Sequence, residues 1–470
     1  MDALESLPYF IPDLILLASA FGLLMLDFSI ANKKLLPLLG LAGILASLLF
    51  CRYPAEPLPL FYGFFVLDPF SFFFKITALG IVALTFLISL DYEIPYVGEY
   101  VSLFLFMAFG LTLMGAANNL LMIFLGIEFV SILSYLLVGF LKKDPRSKEA
   151  SLKYLLFGSL ASGVMLFGMS ILYGLTGSID LNQIQSQLAA GQVSKGLALV
   201  TLLLMMAGFG FKISMAPFHL WAPDVYEGAP TPVTAFLTVG PKALGFAVFL
   251  RVLHTTFLEL QSDWGYLLAV LSMLTMTLGN VIAVPQTNVK RLLGYSSIAQ
   301  AGYILMGLAV SNATGVTGVL VYLIAYAFTN LGAFLCVIAV SNHFGNDEIE
   351  NYAGLSEKSP VLAFSLTLFL LSLAGIPPLA GFIGKFYVFA SAIEGRFLTL
   401  AVVAALNSAV AAFYYFKIVR LMYLTPAANR EPVFAGTSFW VGLALTLVGV
   451  VLMGIFPLPF IAFVQKALIL

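Results

Sequence analysis

GFGFKISMAPFHLWAPDVYEGAPTP, Gly208 to Pro232, is the stretch whose reading decides the fold. It begins inside an apolar run that opens at Leu197 and is long enough to be a membrane helix. That run holds Lys212, and Pro217 and His219 follow at once. A lysine in hydrocarbon costs roughly 3 kcal/mol or more. A proline inside a helix removes one backbone hydrogen bond and clashes with the preceding turn. A membrane helix tolerates both where the broken backbone lines a cavity or packs against protein. Interrupted helices of this kind hold ion-carrying sites in transporters. The competing reading of Lys212 is a kinked structural helix whose lysine snorkels out, but intramembrane ionisable residues point first to function.

Composition agrees with a membrane setting. Of 470 residues, 61% are hydrophobic and 10% charged, and the mean hydropathy is +1.03. Soluble domains carry about 25% charged residues. The net charge of −1 gives no footprint for nucleic acid. Cys51 and Cys336 form no CxxC pair and imply neither a metal site nor a disulfide scaffold. No phosphate-binding glycine motif follows a strand pattern. With only His219, His254 and His343 in the chain, no haem, zinc or iron–sulfur ligand set is visible. The N-terminal run MDALESLPYFIPDLILL lacks a basic start and a small-residue cleavage site, and reads as a retained first helix.

Runs of about 20 apolar residues fall near 10–30, 35–52, 68–90, 100–117, 120–140, 150–174, 197–220, 231–254, 264–284, 291–311, 315–341, 361–392, 399–423 and 437–464. The expected fold is thus an all-α polytopic membrane protein of about fourteen spans. Pro377-Pro378 breaks the run 361–392, which is too long for one straight span. Asp180 to Gln192 reads as a short interfacial helix capped by Asp180. The odd-numbered loops carry Lys33, Lys34, Lys142, Lys143, Arg146, Lys148, Lys290, Arg291, Lys358 and Arg430. The even loops and outer ends offer mainly Arg52, Lys195, Arg396 and Lys466. The positive-inside rule puts the odd loops in the cytoplasm and both termini outside.

An internal repeat is visible at an offset of 168. KYLLFGS at 153–159 lies over VYLIAYA at 321–327, and SYLLVG at 134–139 over GYILMG at 302–307. The offset also lays the broken seventh span on the broken twelfth. Five spans separate equivalents, so the two units have opposite orientation, as in secondary transporters. The divisions are helices 1–3 in 1–99, a first inverted repeat in 100–255, a second in 264–423, and a final helix in 437–470.

Ionisable residues inside the spans are Glu128, Lys153, Lys212, Lys242 and Lys385, with His219 just past the first break. Burial disfavours the charged form of such groups and pairing favours it. A moving neighbour can therefore load and unload them, which is the chemistry a proton relay requires. Glu128 and Lys212 are expected to form an ion pair. Two readings stand for Lys153, five residues beyond Lys148: a relay group or a snorkelling lysine. Two stand for His219, a proton carrier or a satisfied hydrogen-bonder. Lys75 is expected to snorkel outward. Ser296, Ser297, Gln300 and Tyr303 form either a proton wire or helix–helix glue.

The motifs GFGFKISMAPFHLWAPDVYEGAPTPV, NVKRLLGYSSIAQAGY and AGIPPLAGFIGKFYV make the chain resemble the antiporter-like membrane subunits of respiratory complex I, in particular the subunit N branch. The resemblance runs from about Asp68 to Tyr423. It implies a fourteen-helix fold with a proton half-channel in each repeat. Proton translocation would fall on Glu128, Lys212, Lys242 and Lys385, with Lys153 and His219 on the same polar axis. Many members carry a histidine where this chain has Gln300, which leaves that station unable to take a proton. The resemblance also implies partners: other membrane subunits, with NADH, flavin, iron–sulfur clusters and quinone held by them, in the bacterial inner membrane. A free-standing or Mrp-type cation/proton antiporter is the second reading, and a purely structural spacer the third.

Overall fold

A computed structural model describes residues 1–427, 431–434 and 436–468. The chain begins with α1 (Ala3–Leu26), α2 (Leu35–Phe50), a hairpin of β1 (Leu58–Leu60) and β2 (Phe65–Leu67), α3 (Pro69–Ser89), α4 (Val97–Ala116), α5 (Leu120–Val138) and α6 (Pro145–Thr176). A short α7 (Leu181–Ala189) leads to a helix in two pieces, α8 (Lys195–Ile213) and α9 (Ala222–Gly228). Then come α10 (Thr231–Thr255), α11 (Gln261–Ala283), α12 (Val289–Val310), α13 (Ala313–Phe344) and the single turn α14 (Leu355–Lys358). A second broken pair, α15 (Pro360–Ala374) and α16 (Ala380–Glu394), precedes α17 (Leu398–Leu424), α18 (Thr437–Ile455) and α19 (Leu458–Gln465). Among the described residues, 12 helices are long and apolar enough to cross a membrane, and α2 and α15 are shorter apolar helices.

Both breaks fall where the prolines lie. α8 stops at Ser214, which adopts a left-handed conformation (φ 60°), and Pro217 follows. α15 stops at Gly375 (φ 90°), a backbone geometry that glycine alone takes without strain. After the second break the chain returns so close that a Cβ on Gly381 would sit 1.9 Å from the Ser372 carbonyl oxygen. α7 is capped as its sequence suggests, by the Asp180 carboxylate accepting from the Asn182 and Gln183 amides. A third interruption, at Phe456-Pro457, divides the last apolar run.

The core is a matter of which helices are apolar all round. α10, α12 and α13 are buried along nearly their whole length. A helix with no polar face belongs in such a position. The outer helices bury one face only. On α17, Leu398, Val402, Leu406 and Phe413 are exposed. On α5, Leu121, Leu125, Ile132 and Leu136 are exposed. Apolar surface of this extent is suited to lipid or to another membrane protein.

Several expectations need correction. Lys75 does not snorkel. It is buried and pairs with Asp13 of α1 at 2.6 Å, while the other Asp13 oxygen accepts from Thr112 of α4 at 2.7 Å. A lone Asp inside an apolar run gave the only sequence sign of this pair. Lys290 and Lys358, counted as loop charges, are buried: Lys290 donates to the Ala229 carbonyl at 2.8 Å, and Lys358 lies over the Phe344 ring. Arg430 lies outside the described residues. The fold is all-α as expected, apart from one small hairpin whose first strand is only Leu58-Pro59-Leu60. Buried Arg251 was also missed. It holds both oxygens of Asp68, at 2.8 and 3.1 Å, and so ties α10 to the N-cap of α3.

The Asp13–Lys75 pair yields a first prediction. Breaking a buried pair by removing one partner costs about 3–5 kcal/mol, while replacing both is far milder. Lys75→Met should lower the temperature at which the chain unfolds in detergent, and adding Asp13→Asn should recover most of the loss. Equal melting of all variants would show that the pair carries no stability.

Candidate functional site

The site is built by two breaks and three largely buried helices, α10, α12 and α13. Glu128, half-buried on α5, accepts a hydrogen bond from Ser162 of α6. One turn further on, Ser131 Oγ accepts from Lys212 Nζ at 3.0 Å and donates to the Ile127 carbonyl at 2.7 Å. Lys212 is the second-last residue of α8, directly before the break, and only 3% exposed. No direct ion pair joins Glu128 to Lys212 among the described residues: the serine hydroxyl holds the ammonium, and Glu128 acts on it through space. The expected contact pair is therefore not formed: Lys212 meets Ser131, and Glu128 meets Ser162.

Lys212 packs its stem against Gly245 of α10. One turn back on the same helix, Lys242 Nζ donates to Ser297 of α12, at 2.6 Å to Oγ and 2.9 Å to the carbonyl. Next along α12, Ser296 shares a hydrogen bond with Tyr415 of α17. Gln300 Nε2 donates to the Leu373 carbonyl at 3.0 Å and to Tyr415 Oη at 3.2 Å, and Gln300 Oε1 accepts from Tyr322 of α13. Lys385, on α16, donates to the Ala374 carbonyl at 2.9 Å, with its ammonium 4.5 Å from the centre of the Tyr303 ring. Tyr303 Oη in turn accepts from Asn280 of α11 at 3.1 Å. From α12, Ser296, Ser297, Gln300 and Tyr303 thus reach hydrogen-bond partners on α10, α11, α13, α15 and α17.

The second break shows how an interrupted helix serves a charge. The last four carbonyls of any helix lack partners inside it. In α15, Leu371 O accepts from Gly375 N and Ile376 N, and Ser372 O from Gly375 N. The remaining two, Leu373 O and Ala374 O, go to Gln300 and Lys385. The break therefore supplies fixed oxygen acceptors at the depth where the ammonium is buried.

His219 lies buried within the first break. Lys153 stands apart from the buried line. It is part-exposed on α6 and pairs with Glu149 at 2.9 Å and with Asp224 of α9 at 2.8 Å. Arg291 of α12 holds the other Asp224 oxygen at 2.8 Å and Glu227 at 2.9 Å. Burial alone would raise the Asp224 carboxyl, but the hydrogen bonds and charges of Lys153 and Arg291 outweigh it and hold it below its ordinary value. Tyr322, Tyr415 and Asn280 escaped the sequence reading. Each is a polar residue in an apolar helix, and one sequence does not tell an inward tyrosine from an interfacial one.

Residues 117–411 match the family described as NADH:quinone oxidoreductase/Mrp antiporter, transmembrane. NADH-quinone oxidoreductase subunit N 2 of Chloroherpeton thalassium is 42% identical over 92% of this chain and 88% of its own length. Subunit N of Trichlorobacter lovleyi is 44% identical over 86% of this chain and 84% of its own. A chain of respiratory complex I from Thermus thermophilus superposes with a TM-score of 0.81 at 31% identity, covering 96% of this chain and 98% of that one. The broken helices, the buried lysines and these likenesses agree, and the chain belongs to the NADH:quinone oxidoreductase/Mrp antiporter family, among its subunit N proteins.

Proposed function

We propose that this chain is the antiporter-like subunit N of a complex I, moving protons across the membrane while quinone is reduced elsewhere in the assembly. The observation that carries this reading is the line of three buried lysines, Lys212, Lys242 and Lys385, each solvated by protein oxygen. Glu128 modulates the first of them, and His219 and Lys153 flank the first break. α4 to α10 form one inverted repeat and α11 to α17 the other, each with a half-channel centred on its broken helix. Counting α2 and each broken pair as one crossing gives fourteen. The surface bearing Lys142 and Arg291 faces the cytoplasm, and both termini face the periplasm of a bacterial inner membrane. Sister antiporter-like subunits are the neighbours. Flavin, iron–sulfur clusters, NADH and the quinone site belong to other subunits, and this chain alone does no redox chemistry. A free-standing or Mrp-type antiporter is the alternative, less favoured because relatives at 42% and 44% identity are subunit N proteins.

Lys385 tests the reading most directly. A proton carrier must both hold and release its proton, and an arginine in its place stays charged at every working pH. Lys385→Arg should keep the charge and lose release, and Lys385→Ala should lose both. In vesicles carrying the assembled complex, protons pumped per electron should fall for both variants. An arginine variant that pumps like wild type would make Lys385 a fixed charge.

Ser131→Ala removes the hydroxyl that holds Lys212. A hydrogen bond to a charged group contributes about 1.5–3 kcal/mol, so coupled turnover should drop on the order of tenfold, at 1.4 kcal/mol per factor of ten. Ser131→Thr should retain most of it. Proton uptake at equal amounts of assembled complex is the comparison to make.

The chain purified alone should show no flavin, haem or iron–sulfur absorbance. A redox centre bound in equal amount to the isolated chain would overturn that part of the proposal.

A further inference from the structure

The ion pairs around Asp224 do more than decorate a surface. α9 is the second half of the first broken helix and is only seven residues long. Its carboxylates are gripped from two sides, by Lys153 of α6 and by Arg291 of α12. Its C-terminal end is held by Lys290, which donates to the Ala229 carbonyl at 2.8 Å. α6 and α12 belong to different halves of the chain, so Asp224 bridges them. Above the bridge lies an open cavity of about 220 Å³, lined by Arg146, Glu149, Lys153, Asp224, Glu227 and Arg291.

Beneath the bridge lies an aromatic plug. Trp221, the residue preceding α9, stacks on Tyr154 of α6 with centroids 4.3 Å apart and planes 15° from parallel. Phe211, the neighbour of Lys212, packs on the indole at 5.0 Å, and Tyr226 closes its edge at 5.6 Å. Tyr135 meets Tyr154 edge-on at 4.9 Å. The two layers are linked covalently: Lys153 adjoins Tyr154, and Asp224 follows Trp221 by three residues. Moving α9 off α6 therefore breaks the Lys153–Asp224 pair and unstacks Trp221 together. The Trp221 Nε1–H is buried with no hydrogen-bond partner among the described residues.

We propose that Asp224 is the positioning residue of a gate, an ion-pair clasp over an aromatic plug, that controls water access from this face to the first break and Lys212. The inference rests on the proposed proton path for its purpose, but the gate can be tested without it. The strength of the clasp suits such a task. Its side chains are 31–39% exposed, so solvent and salt weaken each pair. A fully buried pair in the same place would open far less readily.

Ser214 supplies the reporter. It is fully buried, beside Tyr226 of the plug and two residues from Lys212. In a complex carrying Ser214→Cys with Cys51→Ser and Cys336→Ala, labelling by a small zwitterionic methanethiosulfonate is followed by the mass of this chain. The closed gate should make labelling slow. Adding Asp224→Asn should speed it about tenfold, and Asp224→Glu should restore the slow rate. Glu149→Gln should change it little, since Glu149 lies outside the bridge to α12. In the Asp224-intact reporter protein, raising salt from 0.05 to about 1 M, which shortens the screening length to roughly 3 Å, should also speed labelling. Unchanged labelling in assembled Asp224→Asn would overturn the proposal. Should that variant fail to assemble, a flat salt series would overturn it. A faster label with normal protons per electron would leave the gate standing and remove the proton path as its purpose.

Discussion

The architecture around the two breaks follows from the need to give the buried ammonium groups of Lys212, Lys242 and Lys385 oxygen to face. An isolated charge in an apolar interior carries a large desolvation cost unless it is hydrogen-bonded. Lys212 takes a serine hydroxyl, Lys242 a hydroxyl and a carbonyl of one residue, and Lys385 a carbonyl released by a broken helix. The chain supplies these oxygens without exposing backbone to lipid, because α10, α12 and α13 surround them. Apolar packing is thus the wall that makes both the charges and the breaks tolerable.

The two breaks solve the problem by different means. At the second, every terminal carbonyl of α15 has a partner, and the lysine lies in the following half-helix. At the first, the lysine comes before the break and turns sideways to α5. A carbonyl only accepts, whereas a hydroxyl accepts and donates and can rotate. The first lysine therefore has a partner that can reorient as its proton leaves, and the third has a rigid one. This asymmetry matches the reversed order of lysine and proline in the two halves of the sequence.

Much of this was legible before any coordinates. Proline and lysine inside apolar runs located both breaks, and Asp180 announced its own helix cap. What stayed hidden was pairing across long sequence distances. Asp13 and Lys75 are 62 residues apart, and Asp68 and Arg251 are 183 apart. Each looks alone in its own run, so Lys75 read as a snorkelling side chain and Arg251 drew no reading at all. The Glu128–Lys212 contact failed for a related reason. Position along the two helices brings the pair near, but one helical turn decides whether carboxylate or hydroxyl meets the ammonium, and sequence spacing does not resolve that.

Gln300 fixes what can pass between the two halves. Its amide is fully engaged: it donates to Leu373 O and Tyr415 Oη and accepts from Tyr322. An amide has no site for an extra proton near neutral pH. Hydroxyls on either side, Ser296 and Tyr415 before it and Tyr303 beyond, can reorient, but the connection through Gln300 itself cannot carry a proton. On the proposed reading, the halves then communicate by charge. At an effective dielectric of about 20, a unit charge some 4 Å away contributes about 4 kcal/mol, and the effect falls inversely with distance. The dry walls of α10 and α12 keep that field from being screened by salt. On that reading, a glutamine at this position separates two proton paths while leaving each able to sense the other's charge.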